Sequence, residues 1–459
     1  MMGKWIAFLK SLVIFDFEEG TLDATLRRTL NLLVWSVCFG IIFFNITTGF
    51  PLAGFARELG LGDLLYSVML AMPVLGGTVQ IVASFVLEKK RKRKEIFLLS
   101  GLVNRLPWLL VAVLPFLVES KNLLFPFLVI LLTVGAVGGA FVNVSFLSWV
   151  GDLVPLGIRG RFFGHRSMVA TGAALLSGLL VGKVLDAVRG VSGFTFVFGL
   201  ASLAGLTELS FFARAYDPPM SASSLGTNPR LVLKGVLGCR PFWKFLFFLI
   251  SWNFAVNVAS PFFNLYMLKY LHMNFFEIAF YVQVISNIAT LFSVRIWGRF
   301  TDRFGNKPVA ALTTLSVTFL PIIWCFTTPG NWIVVVPIIQ ILAGIFWPGI
   351  DLITNNLLLK LSPAENRSLC IGVLNFFLGV FGVALAYLLG GALLERVVPL
   401  LNTLSKSFFG WQMNPYYYVF ILSSILRFLT FKILLPRVEE EGAGSMRAVA
   451  RAILGKLRP

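Results

Sequence analysis

Polar side chains set inside long apolar runs are the residues of this chain that could do chemistry. Asn45, Asn143, Ser145, Asn253, Asn257, Asn264, Gln340, Asp351, Asn355 and Asn356 all lie in such runs. A polar group in hydrocarbon is costly and normally faces a protein interior or water. Amides offer donors and acceptors together, so this set could hold the hydroxyls or carbonyls of a neutral polar solute, or could bond neighbouring helices. Steps of four and seven put Asn253, Asn257 and Asn264 on one helical face. Carboxylates are scarcer. Asp351 and Glu208 are the candidates for proton or sodium coupling, since an acid held out of water can take up and release a proton near neutral pH. Either could instead hold a structural ion pair, with Arg105 and Arg427 as available partners. Trp35, Trp252 and Trp347 could stack on a ring or simply pack.

The elements that must position these groups are membrane helices. The chain has 459 residues, 57% hydrophobic and 13% charged, with a mean hydropathy of +0.85, which leaves too little polar surface for a soluble globule. A helical span needs about 20 mostly apolar residues. Such runs cover 29–50, 64–87, 96–118, 123–149, 168–188, 193–213, 242–268, 275–297, 309–327, 331–359, 369–395 and 415–435. The fold class is therefore an all-α membrane protein of twelve transmembrane helices. The formal charge of +18 concentrates in segments 1–28, 88–95, 150–166, 214–244, 295–308, 360–367 and 432–459. This is the positive-inside pattern, and it places both termini in the cytoplasm and the chain in the cytoplasmic (inner) membrane as a multi-pass protein. The basic runs flank spans and lack interleaved aromatic platforms, which excludes nucleic acid as a partner.

Residues 1–28 read as an amphipathic lead-in. Lys10 interrupts the apolar stretch, and Asp16, Glu18 and Glu19 follow it where a cleavage site would stand. Turn-rich composition marks 214–241 as a linker between an N-terminal half, 29–213, and a C-terminal half, 242–435. Leu153, Pro155, Arg159 and Gly164 recur at an offset of 208 as Leu361, Pro363, Arg367 and Gly372, and the same offset pairs Asn143 with Asp351. Two parallel repeats follow from that spacing. Glycines in the fifth run (Gly172, Gly178, Gly182) and the eleventh (Gly379, Gly382, Gly390, Gly391) permit close helix approach. In the tail, 436–459, Met446, Val449, Ala450, Ile453, Leu454 and Leu457 form a stripe with Arg447, Arg451 and Arg458 off it, the pattern of a basic helix on a lipid surface. Cys38, Cys239, Cys325 and Cys370 are scattered, and His165 and His272 stand alone, so neither a metal site nor a cofactor is expected.

One charged segment is more specific. Gly298-Arg299-Phe300-Thr301-Asp302-Arg303-Phe304-Gly305-Asn306-Lys307 lies between two apolar runs. It resembles the loop signature of the major facilitator superfamily, and Trp149–Pro155 followed by Arg159–Gly164 resembles the loop between the fourth and fifth spans of bacterial members. The first-half counterpart is Glu88–Lys94, where Glu88, Lys89 and Arg93 stand in for Asp302, Arg303 and Lys307 and both glycines are lost. The resemblance implies two pseudo-symmetric six-helix halves and a central cavity lined by spans one, four, seven and ten. It places Asn45, Asn143, Ser145, Asn253, Asn257, Gln340, Asp351 and Asn355 in that cavity. It implies that Asp302 caps a nearby helix and pairs with cations in the closed inner gate, supported by Gly298, Arg299, Arg303, Gly305 and Lys307, with Arg159 and Arg367 as gate partners.

The expected function is secondary active transport of a small solute by rocker-switch alternating access, as a permease working as symporter or antiporter and functional as a monomer. A neutral polar solute such as a sugar fits the amides, and proton-driven efflux of amphipathic drugs is the alternative within the class. Outside it stand a non-transporting scaffold or sensor and a lipid-modifying enzyme. The last would need a clustered catalytic set, and neither that nor a Walker-type loop for ATP-driven pumping is present. Membrane lipids are the remaining expected partner.

Overall fold

The computed structural model describes residues 23–220, 239–361, 367–409, 413–438 and 440. The lead-in 1–22, most of the linker, and the tail stripe from Met446 onward lie outside the described residues. Among the described residues, twelve helices are long and apolar enough to cross a membrane: α1 Ala24–Glu58, α2 Asp63–Lys90, α3 Arg93–Leu117, α4 Lys121–Leu153, α5 Leu156–Ala187, α6 Val191–Arg214, α7 Arg240–Lys269, α8 Phe275–Phe304, α9 Asn306–Cys325, α10 Trp332–Leu358, α11 Cys370–Thr403 and α12 Pro415–Arg437. With no water in a bilayer core, each segment satisfies its backbone within its own helix, by i→i−4 bonding except in the π-helical stretches Ala279–Ile285, Leu378–Ala384, Leu393–Val397 and Thr430–Leu434. Leu99, Leu102, Leu106 and Leu110 form an exposed stripe along α3, as a lipid-facing helix side requires.

The chain forms two compact units, Met1–Gly60 with Met72–Ser224, and Leu61–Ala71 with Leu225–Pro459. In the first, α1 packs on α5 and α6, α3 on α4 and α6, and α2 on α4. In the second, α7 packs on α11 and α12, α9 on α10 and α12, and α8 on α10. The neighbour pairs are the same with six added to each number. The first unit's core gathers around Trp149, with Phe97, Phe162, Phe212 and Val150, and the second around Phe242, Phe245, Trp297 and Leu357. Gly390 lets α11 close onto the Val258 carbonyl of α7, whereas Gly172 faces open space.

Several helix boundaries differ from those read on hydropathy. The fifth helix proper begins at Arg159, after a short 3₁₀ turn at Leu156–Ile158. Arg161, His165 and Arg166 lower the local hydropathy enough to read as loop, yet Arg159–Val169 contains no proline, and the helix tolerates Gly160 and Gly164. The charged segment 298–307 is also mostly helical: α8 runs through Phe304 and α9 begins at Asn306, so Gly305 alone makes the turn, at φ +85°. Arg91 takes that place in the first half, left-handed at φ 51°. Span seven divides into Arg240–Asn257 and Ser260–Lys269. Pro261 has no N–H and its ring would meet the carbonyl four residues back. Asn264 therefore does not continue the face that carries Asn253 and Asn257.

Candidate functional site

The charged ends of each unit are built from residues distant in sequence. In the first unit the Arg93 guanidinium, fully buried, donates to Asp152 Oδ2 at 2.5 Å and to Asp217 Oδ1 at 2.6 Å. It also reaches the carbonyls of Ser148 and Pro218. The start of α3 is thereby tied to the end of α4 and to the chain leaving α6. Trp149 Nε1 donates to the Tyr216 carbonyl at 3.0 Å, and Lys94 Nζ to Ala215, closing the same corner. Charge-assisted bonds of this kind are the strong ones.

The equivalent corner of the second unit is held by an acid that sequence reasoning missed. Glu440 accepts from the Lys307 backbone N–H at 2.6 Å, from Asn306 Nδ2 at 2.8 Å and from Lys360 Nζ at 3.2 Å. Lys307 Nζ donates to the Pro436 carbonyl, and Asn356 Nδ2 to Asn306 Oδ1. The first N–H groups of α9 have no intrahelical acceptor, and a carboxylate there also meets the positive end of the helix dipole. Burial pushes the Glu440 carboxyl up, but the bonds from Lys307, Asn306 and Lys360 outweigh it and hold the group below the usual glutamate range. Arg93 and Lys307, paired by position in the sequence, both open the third helix of a half, and each is tied to the chain that follows the sixth.

Other members of the charged motif stand apart. Asp302 is exposed and forms no hydrogen bond or ion pair with any described residue, and Arg299 is likewise exposed. Arg303 lies over the Phe304 ring at 5.2 Å, and Gly298 offers its carbonyl to Thr301. Arg159 donates to the Gly151 and Val154 carbonyls, covering the end of α4. Arg367 opens a helix, and its side chain lies outside the described residues.

Among the polar residues of the spans, the structure separates helix bonding from free groups. Asn45 donates to the Ala174 carbonyl at 2.7 Å and to Ser177 Oγ, which joins α1 to α5. Asn253 and Asn257 donate to carbonyls four residues back in their own helix, and neither amide oxygen has a partner among the described residues. Asn355 does the same to Asp351. Ser145 is buried with its hydroxyl unpartnered, and Gln340 is buried with no partner among the described residues. Asn143 and Asp351, the pair related by the offset of 208, are both exposed, and neither side chain has a partner among the described residues. Trp252 lies 6.5 Å from both Phe248 and Trp347, its Nε1 buried without an acceptor.

Glu208 and Arg105 form a buried ion pair at 2.6 Å, and Arg105 Nη1 donates to Asn104 Oδ1. Phe43 stacks under the guanidinium at 5.0 Å. A Cβ at Gly40 would collide with the Glu208 carboxylate and one at Gly205 with the Arg105 stem, so both glycines make room for the pair. Arg427 is buried on the Val317 carbonyl without an acidic partner among the described residues. A second cluster unforeseen from sequence lies in the second unit, where Asp63 accepts from Lys269 Nζ at 3.2 Å and from the Tyr416 hydroxyl at 3.3 Å. Glu395 accepts from the Leu64 N–H at 2.9 Å and so caps the start of α2. An acid at the first residue of one span and a lysine at the last residue of another were the available signal.

The Major Facilitator Superfamily family model matches residues 32–295 and 258–455. No curated protein sequence matches the chain at a significant level. Among solved structures, a mutant form of the nucleoside transporter NupG superposes at a TM-score of 0.69 with 12% identity, over 90% of this chain and 100% of its own. A bacterial homolog of the human lysosomal transporter Spinster, in an inward-facing and unoccupied conformation, gives 0.65 with 14% identity over 92% and 100%. A D-xylose-proton symporter gives 0.63 with 15% identity over 87% and 97%. The twelve-helix plan, the repeated neighbour pairs and the family match lead to one assignment: this chain is a multi-pass membrane protein belonging to the major facilitator superfamily.

Proposed function

We propose that the chain is a secondary active transporter that carries a small polar solute of the sugar kind across the cytoplasmic membrane by rocker-switch alternating access. Both termini are cytoplasmic, the monomer is the working unit, and Asp351 is the coupling group for a proton or sodium. The observation that carries this reading is the division of labour among the charged and polar groups. Each unit has its own internal lock, Arg93 with Asp152 and Asp217 in one and Glu440 with Lys307, Asn306 and Lys360 in the other. A body braced in this way moves as a unit. Asn143, Asp351 and Asp302 are left without partners among the described residues and are available to a solute, an ion and a gate.

Of the two acids considered for coupling, Glu208 is committed to Arg105, and Asp351 has the free carboxylate. A nucleoside transporter and a D-xylose-proton symporter share the fold, which supports a polar cargo of that size. The test is uptake into proteoliposomes of labelled sugars, nucleosides and amino acids, with and without pH and sodium gradients. Saturable uptake of a hydroxylated solute that depends on Asp351 is the expected result. Absence of flux for every class, from protein that is folded and inserted, refutes the reading.

A further inference from the structure

We infer that Arg166 binds an oxyanion of the transported solute, a carboxylate or phosphate carried on its polar body. The inference rests on the transporter reading and adds a charge to the cargo.

Arg166 lies in α5, about 10 Å along the helix from Arg159 at 1.5 Å per residue. Its guanidinium sits over the Phe146 ring of α4 at 4.9 Å. Phe146 meets Phe212 edge-on at 6.0 Å and borders the core around Trp149, so the guanidinium is on the protein side of these helices and not the lipid side. The Nε is buried without an acceptor, and no described residue bonds to the guanidinium. Glu208 acts on Arg166 electrostatically, but Oε2 of Glu208 already accepts from Arg105 at 2.6 Å. Glu208 is therefore bonded to Arg105, and Arg166 has no bonded acid among the described residues.

An uncompensated charge out of water is expensive, and an ionisable group kept so within a membrane marks a functional position. Arginine stays charged at any accessible pH, so it does not escape the cost by losing its proton. Stacking on Phe146 occupies one face of the guanidinium plane and leaves its edge, which matches the planar two-oxygen geometry of a carboxylate or phosphate. Asn143 lies one turn before Phe146 on the same face of α4, with an exposed amide that has no partner among the described residues. Together they offer a fork for an oxyanion and an amide for a neighbouring hydroxyl.

The experiment is thermal unfolding of the full chain in detergent with matched probes: D-glucose, D-glucuronate, D-glucose 6-phosphate, inorganic phosphate, and phosphatidylglycerol in mixed micelles. The same probes are then tested for flux in proteoliposomes. A soluble anion should stabilise the protein more than its neutral counterpart. Arg166→Gln should weaken that binding about 10- to 100-fold, the value of a charge-assisted hydrogen bond, and Arg166→Lys should restore part of it. Should Arg166→Gln fold poorly, Phe146→Leu removes the stacking and should weaken the anion selectively. Equal anion binding by wild type and Arg166→Gln overturns the inference, as does stabilisation by glucose alone with both proteins alike; flux of the neutral sugar then leaves the transporter reading standing. Stabilisation by phosphatidylglycerol alone, lost in Arg166→Gln, assigns the oxyanion to a lipid headgroup and overturns a solute anion. No stabilisation and no flux with any probe counts against both readings.

Discussion

The buried Arg105–Glu208 pair gives a prediction whose sign depends on a third residue. Side-chain exposure is 6% for Arg105 and 11% for Glu208, so solvent screening is weak and the loss of one partner leaves a charge stranded. Breaking a buried pair in this way typically costs about 3–5 kcal/mol. The two possible breaks are not equivalent here. Glu208→Gln strands both Arg105 and Arg166, and the full cost is expected. Arg105→Met keeps most of the stem packed against Phe43 and Gly205, and it leaves Glu208 free to turn toward Arg166, which already feels its field. Its cost should be clearly smaller. Replacing both, as Arg105→Met with Glu208→Leu, removes the charge pair altogether and should recover much of the loss, because a well-packed apolar pair is often neutral or better. Intrinsic-fluorescence melting in detergent would read these differences. At about 2–4 °C per kcal/mol for a unit of this size, Glu208→Gln should lower Tm by about 6–20 °C. Arg105→Met proving as harmful as Glu208→Gln, or simple additivity in the double variant, would refute the account of one carboxylate bonded to Arg105 and felt by Arg166.

Three further outcomes concern other parts of the molecule. Arg91 sits at φ 51°, where Gly305 sits in the second half; Arg91→Gly should stabilise the first unit by about 0.5–1 kcal/mol in the same melting assay, and a loss would show that the Arg91 side chain holds the turn. The Glu440 carboxyl is held below its ordinary range of about 4.5, so it contributes stability above that value and loses it as pH falls through the lowered one. The Tm gap between wild type and Glu440→Gln should therefore be full at pH 7 and shrink below about pH 4, and a constant gap would remove Glu440 from the lock. Asp302→Asn should abolish flux while the protein still reaches the membrane, and unchanged flux would sink its gating role.

Membrane class and helix count were legible in the chain alone. Spans are set by runs of about 20 apolar residues, a one-dimensional property, and the family is readable in Gly298–Lys307 because a turn between adjacent helices is local chemistry. The pairing of Arg93 with Lys307 also follows from position alone. Which acid each of them meets was settled by folding. Asp217 and Glu440 lie more than a hundred residues away and reach their partners through helix packing that no spacing rule encodes. Hydropathy also hid Arg166, since a charged turn at the start of a helix and a charged loop give the same window average. The packed structure shows it inside α5, on Phe146, with its Nε buried and unpartnered. For the amides, residue type and depth are written in the chain; whether Asn45 bonds a neighbouring helix or Asn143 stands free depends on which side of a helix faces another, and that is fixed by packing.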